Sequence, residues 1–265
     1  MKLEPEIIQA IKKLSEYFEK RNIPYILIGA MVPFFLIDLK EKNGSGYGIR
    51  PTIDLDYSIK VESWKDYEQI KQDLIANGFE QHEGEPEHRL YLGNVPVDLI
   101  PYGENILEND ILIWKHSGNR MNLASFDELF RHVQYEKIQQ NIIIPIITLP
   151  LFVYSKILTH LDRRLNKDLI DIIYIIEHYE EISVSERRFE VVGEDNLTYE
   201  TSGAFLLGRD IKKIIPESKL KLINAFIALF KDEYSPAVQE IVRDNIKEEK
   251  EILALMQAFQ KGFSR

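Results

Sequence analysis

Two aspartates with strand spacing are the residues of this sequence best placed to do chemistry. Asp54 and Asp56 lie in the strand-like segment 52–60, where successive side chains alternate between the two faces. Both carboxylates then point to one face, while Ile53, Leu55 and Tyr57 are predicted to face the core. Two like charges on one face repel each other, and a strand is a poor place for aspartate. A divalent cation removes that cost directly, and Mg²⁺ prefers carboxylate oxygens.

A third aspartate, Asp98, lies in the otherwise apolar strand segment 95–100. A neighbouring strand would set Asp98 beside Asp54 and Asp56. Three carboxylates on adjacent strands can hold two metal ions, which activate an attacking hydroxyl and stabilise a leaving phosphate oxygen. The predicted metal ligands are therefore these three aspartates, with two Mg²⁺ ions as the cofactor.

The alternative for the aspartate pair is the solvated face of an edge strand. For an isolated Asp-x-Asp this alternative is the better one, because such pairs are common. It weakens here because Asp98 lies between Val97 and Leu99, where an uncompensated charge would be costly.

The pair Gly29-Ala30 is a candidate phosphate-binding junction. It follows the short apolar strand 25–28 and begins a predicted helix over 30–39. Glycine lets the backbone approach a ligand, and a helix N-terminus offers free N–H groups to phosphate. Strand–glycine–helix junctions are common, so this one gains its weight from its conjunction with Arg50 and the three aspartates.

This combination of motifs resembles a known family. A strand, Gly29-Ala30 and a helix, then Arg-x-Thr-x-Asp-x-Asp at 50–56 and a third aspartate in a later strand, resemble the nucleotidyltransferase fold of the DNA polymerase β superfamily. Within it, the sequence is most similar to the AbiEii/AbiGii-type toxin nucleotidyltransferases. These are the toxin halves of some bacterial toxin–antitoxin and phage-exclusion systems.

The resemblance implies roles for the motif residues. Gly29 and Ala30 would hold the triphosphate of an NTP, and Arg50 and Thr52 belong to the same nucleotide-binding set. The Asp-x-Asp pair would bind the metals, and Asp98 would align or deprotonate the acceptor hydroxyl. The usual small pair in this family is Gly-Ser or Gly-Gly, so a serine hydroxyl contact is missing here.

The resemblance continues into the second half of the chain. Lys156, followed by Arg163-Arg164 and by the Lys-Asp-x-x-Asp segment 167–171, is similar to a Lys…Arg…Lys-Asp-x-x-Asp segment of the family. There a lysine contacts nucleotide phosphates and an aspartate supports the site. Lys156 is therefore the candidate phosphate contact, and Asp168 and Asp171 are both candidates for the acid role. The alternative for the two arginines is surface ion pairing at helical spacing.

The elements that must position these residues change in kind near residue 148. Before it, the sequence predicts helices over 7–18, 30–39 and 63–77 and strands over 25–28, 52–60, 89–92, 95–100 and 142–147. After it, periodicity predicts only helices, over 149–164, 167–179, 201–215, 217–231 and 236–259. The predicted class is α+β: a nucleotidyltransferase-type mixed sheet with flanking helices, followed by an all-helical C-terminal domain. The expected domains are 1–148 and 149–265, with the active site in the cleft between them.

Composition excludes several classes of function. The 265 residues carry 33 Lys+Arg against 43 Asp+Glu, a formal charge of −10, and no cysteine. The lack of cysteine excludes a disulfide scaffold, a thiolate zinc site and a cysteine nucleophile. The acidic balance argues against a broad nucleic-acid surface, so any RNA is expected to enter beside the basic segment 156–167. No apolar run reaches the roughly 20 residues that span a membrane, and a cytoplasmic protein is expected.

The six histidines form no metal-binding signature. His82 and His88 flank an acidic loop and are predicted to face solvent. His160 and His178 lie on predicted helices and are interpreted as packing residues.

The predicted reaction is transfer of a nucleoside monophosphate from an NTP to a hydroxyl, with release of pyrophosphate. Asp98, Lys156 and Asp171 are the predicted catalytic residues. By resemblance the acceptor is the 3′ end of a tRNA, the protein a toxin and an antitoxin its partner; a small molecule or a protein hydroxyl stays open. One alternative is a non-catalytic nucleotide-binding or interaction module on the same fold. A glycosyltransferase ranks last, because its Asp-x-Asp usually follows a longer nucleotide-binding region.

Overall fold

The structure, a computed structural model, describes residues 3–38, 53–139, 141–180, 186–244 and 247–265. The chain divides into two compact units, Met1–Thr148 and Leu149–Arg265, called here the sheet unit and the helical unit. Arg50 and Thr52, two of the predicted nucleotide-binding residues, lie outside the described residues.

The strands of the sheet unit form one large mixed sheet and one small one. In chain order the described strands are β1 (Tyr25–Ile28), β2 (Leu55–Lys60), β3 (Arg89–Leu92), β4 (Val95–Tyr102), β5 (Leu107–Glu108), β6 (Ile111–Ile113), β7 (Arg120–Asn122), β8 (Val133–Gln139) and β9 (Ile142–Ile147). The main sheet has the order β3-β4-β2-β1-β9-β8, and β5, β6 and β7 form the small sheet. In the main sheet β2 runs parallel to β4 and β1 parallel to β9, whereas the other neighbours are antiparallel.

Helices flank the main sheet. Those described are α1 (Pro5–Lys20), α2 (Met31–Pro33), α3 (Trp64–Ala76) and α4 (Phe126–Arg131), and a π-helical turn, Phe34–Asp38, continues α2. Proline begins α1, where its missing N–H costs nothing. The apolar stripe of α1 covers the sheet, with the Phe18 ring 4.8 Å from that of Tyr25 and 6.2 Å from that of Tyr57. Ser63 caps α3 by accepting a hydrogen bond from the Asp66 N–H.

In the described parts of the helical unit every regular element is a helix. The α-helices are α5 (Leu149–Arg163), α6 (Asn166–His178), α7 (Glu186–Val191), α8 (Tyr199–Ile214), α9 (Leu220–Ile227), α10 (Pro236–Arg243) and α11 (Glu249–Ser264). Helices α8 and α11 meet closely at Gly208 and Gly262, where an added Cβ would overlap the backbone of the other helix. Within the described ranges, no helix of either unit combines the length and apolar character that crossing a bilayer requires.

The predicted fold class, a mixed sheet with flanking helices followed by a helical region, is confirmed. The start of β2 differs from the prediction, because the strand begins at Leu55 and Asp54 precedes it. Leu55 and Tyr57 are fully buried, as predicted, but the prediction for Ile53 is wrong, since this side chain is 47% exposed. Asp54 thus lies in the segment that leads into the strand, whereas Asp56 lies in the strand itself.

Other differences come from the length of the elements. The single helix predicted over 236–259 is two helices, α10 and α11. The sequence does not predict the small sheet or α4, because segments of two to six residues contain too few positions to show a period.

Candidate active site

Three charged side chains form a transverse row on one face of the main sheet. The register pairs Arg89 on β3 with Asp98 on β4, and Asp98 with Asp56 on β2. The next partner in this row is Ile28, the last residue of β1. Directly paired residues on adjacent strands project from the same face, so Arg89, Asp98 and Asp56 share it. We call these three residues, with Asp54 just before β2, the carboxylate row.

Arg89 and Asp98 form a two-pronged ion pair. The Arg89 Nε donates to Asp98 Oδ1 at 2.7 Å and its Nη2 donates to Oδ2 at 2.8 Å. The same Nη2 lies 3.7 Å from Asp54 Oδ2. Asp98 is only 9% exposed, so a carboxylate there needs a hydrogen-bonded counter-charge. The hydrogen bonds that Asp98 accepts in turn raise the pKa of Arg89 above its ordinary value.

The backbone of Gly29 lies against the carboxylate of Asp56. Gly29 has φ +74°, a left-handed conformation that glycine adopts without cost. A Cβ at this position would lie 2.7 Å from the Asp56 Cβ and would overlap the Asp56 carboxylate. Ala30 follows as the first flanking residue of α2. The Gly29-Ala30 junction predicted from the sequence is therefore in contact with one of the predicted metal ligands.

The oxygen atoms of the carboxylate row are of the kind that a divalent cation binds, but the side chains are not placed around a common ion position. Asp56 and Asp98 face the same side from neighbouring strands, and hard carboxylate oxygens are what Mg²⁺ prefers. Both oxygens of Asp98, however, accept hydrogen bonds from Arg89. Among the described residues, no three His, Asp or Glu side chains are arranged to hold an ion. The carboxylate oxygens therefore fit a divalent cation. Asp98 can bind one through both oxygens only after it is released from Arg89.

His88 approaches Asp98 from the same hairpin. Its Nε2 lies 3.8 Å from Asp98 Oδ2, and its ring lies 4.9 Å from the Trp114 ring. The prediction that His88 faces solvent is wrong, since its side chain is only 17% exposed. Burial lowers the pKa of His88 despite the opposing charge of Asp98. The imidazole therefore does not supply the counter-charge of Asp98 at neutral pH, and Arg89 does.

Sequence reasoning missed Arg89, although a signal for it was present. The strands predicted over 89–92 and 95–100 join through the two residues Gly93-Asn94. In a two-residue hairpin the pairing is fixed by the turn, and counting back from it pairs Arg89 with Asp98. The buried charge that favours a metal therefore already has a partner on the adjacent strand.

A second charged cluster lies in the helical unit and contains the residues that match the Lys…Arg…Lys-Asp-x-x-Asp segment. Lys156 Nζ lies 2.6 Å from Asp171 Oδ2 and 3.4 Å from Asp168 Oδ1. Arg163 donates two hydrogen bonds to Asp168, at 2.7 and 2.9 Å. Asp168 is fully buried, so it holds α5 to α6 through these two cations. The structure brings Lys156, Asp168 and Asp171 together.

The charge state of Asp168 is set by its partners. Burial alone would raise the pKa of this carboxyl, but the hydrogen bonds from Arg163 and the charge of Lys156 hold it below its usual range. The folded-state pKa thus lies below the unfolded value of about 4. The resulting stabilisation is fully present above the unfolded pKa and is lost as the pH falls from there through the folded pKa.

Replacing Asp168 by asparagine should lower the free energy of unfolding by about 3 kcal/mol at neutral pH. The amide fills the same space but leaves Arg163 without the carboxylate that it binds and Lys156 with Asp171 alone. Urea denaturation at about pH 7 and again at about pH 3.5 measures both effects, because acid should cost the wild type more than the variant. Asp162→Asn, at an exposed position of α5, is the matched control. Equal destabilisation by the two substitutions would contradict a structural role for Asp168.

Comparisons with known proteins give distant structural similarities. We found no protein-family model and no curated protein that matches the chain. The chain is similar to an antigenic nucleotidyltransferase-like protein from Paracoccidioides brasiliensis, with 15% identity over 67% of this chain and 78% of that one, and a TM-score of 0.41. It is also similar to the antibiotic-resistance factor ANT(2'')-Ia, with 12% identity over 63% of this chain and 80% of that one, and a TM-score of 0.33. Because both similarities are distant, the function has to follow from the side chains of this chain.

Proposed function

We propose that the chain is a metal-dependent nucleotidyltransferase that moves a nucleoside monophosphate from an NTP to a hydroxyl acceptor. The observation that carries the proposal is the carboxylate row beside Gly29. Asp56 and Asp98 are paired in register on parallel neighbouring strands, and Asp54 precedes the first of these strands. Clustered carboxylates on a sheet are costly unless they bind a cation or a cationic side chain.

The three carboxylates of the row and the Gly29-Ala30 junction have proposed roles. Asp54, Asp56 and Asp98 would hold two Mg²⁺ ions, which would neutralise charge on the triphosphate and on the departing pyrophosphate. Gly29 and Ala30 would seat the triphosphate, since glycine lets the backbone approach a ligand closely and the Gly29 backbone lies against the carboxylate of Asp56. Asp98 would align the acceptor hydroxyl and receive its proton as the oxygen attacks the α-phosphorus.

We assign the phosphate contact to Lys156, whose ammonium group is oriented by Asp168 and Asp171. Two carboxylates around one ammonium group fix its position before substrate arrives, and such preorganisation is what stabilises a developing charge. Asp168, being fully buried, would act on Lys156 and not on the substrate.

The proposed acceptor is the 3′-terminal hydroxyl of a tRNA, which would make the protein the toxin of a toxin–antitoxin pair. Incubation with each α-labelled NTP, Mg²⁺ and total RNA should transfer label to RNA in the size range of tRNA and release pyrophosphate in equal amount. EDTA should stop both. Label on a small molecule or a protein would keep the reaction class and change the acceptor. NTP binding without transfer to any of these acceptors would contradict the proposal.

One observation favours a second candidate, a non-catalytic nucleotide-binding module. Arg89 occupies both oxygens of Asp98, which is the arrangement expected of a row that has given up cation binding. In that case calorimetry should show NTP binding that is indifferent to Mg²⁺. A Mg²⁺-dependent affinity, together with transfer, would exclude the module.

A further inference from the structure

The hydrogen bonds of Arg89 fall where a metal ion would bind Asp98. A guanidinium that donates two parallel N–H bonds to a carboxylate lies in the carboxylate plane and uses one lone pair on each oxygen. The two distances, 2.7 and 2.8 Å, are those of a complete fork. A divalent cation that binds the carboxylate through both oxygens needs these same lone pairs, and the outer lone pairs that remain allow only a contact through a single oxygen.

Resting on the function proposed above, we propose that Arg89 is a positioning residue that competes with a divalent cation for Asp98. While Arg89 holds both oxygens, Asp98 cannot bind a cation through both of them. The guanidinium therefore sets how tightly the row binds its divalent ions, and its departure is what makes Asp98 available.

The charges of the row support this competition. The Arg89 guanidinium balances the charge of Asp98 and lies 3.7 Å from Asp54, so it weakens the attraction of the row for a divalent cation. Removal of the guanidinium restores the charge of Asp98 and frees its oxygens, and both changes favour cation binding.

Arg89 also has acids to pair with when it leaves Asp98. Its Nη1 lies 3.9 Å from Glu85 Oε2, one of the acids of the loop that precedes β3, and its Nη2 lies 3.7 Å from Asp54 Oδ2. The arginine side chain is 23% exposed, while that of Asp98 is 12% exposed. A shift toward Glu85 would move the guanidinium outward and keep it beside an acid, so its release from Asp98 would not leave it buried and unpaired.

Mn²⁺ titration of the full-length protein without nucleotide, by calorimetry or by the electron paramagnetic resonance signal of free Mn²⁺, tests the competition. Arg89→Gln should bind Mn²⁺ about tenfold more tightly than the wild type. The same substitution in an Asp98→Asn background should change the affinity by much less, because the contested carboxylate is gone. Arg131→Gln, which removes an exposed arginine paired with Asp127 on α4, is the matched control and should match the wild type.

Several outcomes would overturn the inference. The Arg89→Gln protein could bind Mn²⁺ no more tightly than the wild type, or could bind none. The substitution could also raise the Mn²⁺ affinity equally with and without the Asp98 carboxylate. Circular dichroism tests whether each variant is folded. If Arg89→Gln does not fold, Arg89→Lys replaces it in the titration. Lysine keeps the charge but cannot form the fork, so it should give a smaller gain. Since no step measures transfer, tighter Mn²⁺ binding would support the competition even if the transferase assay failed.

Discussion

A protein in which Asp54 and Asp56 are both replaced by asparagine should lose nucleotidyl transfer while it keeps its fold. Asparagine has the shape of aspartate, so β2 and its pairing with β4 are retained. The loss of two carboxylates removes the negative charge that attracts the cations, and we expect a rate decrease on the order of a thousandfold or more. Initial rates of label transfer measure the effect, and thermal unfolding followed by circular dichroism confirms the fold.

The matched control for this pair is Asp127→Asn. Asp127 is an exposed aspartate of the same unit, on α4, where it pairs with Arg131. Its substitution should leave transfer within about twofold of the wild type, as expected of an exposed ion pair of small energetic value. If the double variant transferred nucleotide at the rate of this control, the metal assignment would be wrong.

Gly29→Ala should reduce transfer nearly as severely and should also destabilise the sheet unit. At φ +74° an alanine pays the cost of a left-handed backbone, about 1–2 kcal/mol. Its Cβ would also overlap the Asp56 carboxylate, so this side chain must move away from its place beside Asp98. We expect a total loss of about 3 kcal/mol in the free energy of unfolding, together with loss of activity in the protein that remains folded.

Gly93→Ala separates the two causes. Gly93 has φ +60°, and an added Cβ there meets nothing within 4 Å. This control carries the backbone cost alone, so it should lower the free energy of unfolding by about 1–2 kcal/mol and leave transfer unchanged. Urea denaturation and transfer rates, measured on both variants, give the comparison. Equal stability and equal activity of the two variants would show that Gly29 does not position Asp56.

The sequence was sufficient for the identity of the carboxylates and for the strands that carry two of them. Alternation placed Leu55 and Tyr57 in the core, where they are fully buried, and so placed Asp56 on the opposite face. The apolar residues around Asp98 predicted the strand that carries it. These structural predictions succeed because each depends on the nearest neighbours in the chain, which the sequence contains, whereas the metal-binding role of the aspartates stays a prediction.

The sequence could not provide the pairing between β2 and β4. These strands are separated by a helix and a further strand, and parallel neighbours are not fixed by a turn. The register of Asp56 with Asp98 therefore had to come from the structure. The same holds for the start of β2, where Asp54 precedes the strand because local alternation does not show where pairing begins.

In the helical unit the resemblance drew attention to residues that the structure places in one cluster, but it left their contacts open. Asp168 and Asp171 were equal candidates for the acid role, because both lie on one turn of the same predicted helix. Burial distinguishes them: Asp168 is closed to solvent and held by Arg163, whereas Asp171 makes the shorter contact with Lys156. Arg163, for which surface ion pairing was an alternative, instead clamps a buried carboxylate.

The length of the turn between β3 and β4 decides which residue of β3 lies opposite Asp98. Because Leu92 pairs directly with Val95, the turn alone determines that Arg89 meets Asp98. An insertion of one residue at Gly93-Asn94 that shifted β3 by one position would turn Arg89 to the opposite face of the sheet. The aspartates would all remain, yet the row would have three carboxylates and no guanidinium. A single-codon insertion in a surface turn would then change the ion requirement of the site as thoroughly as a substitution within it.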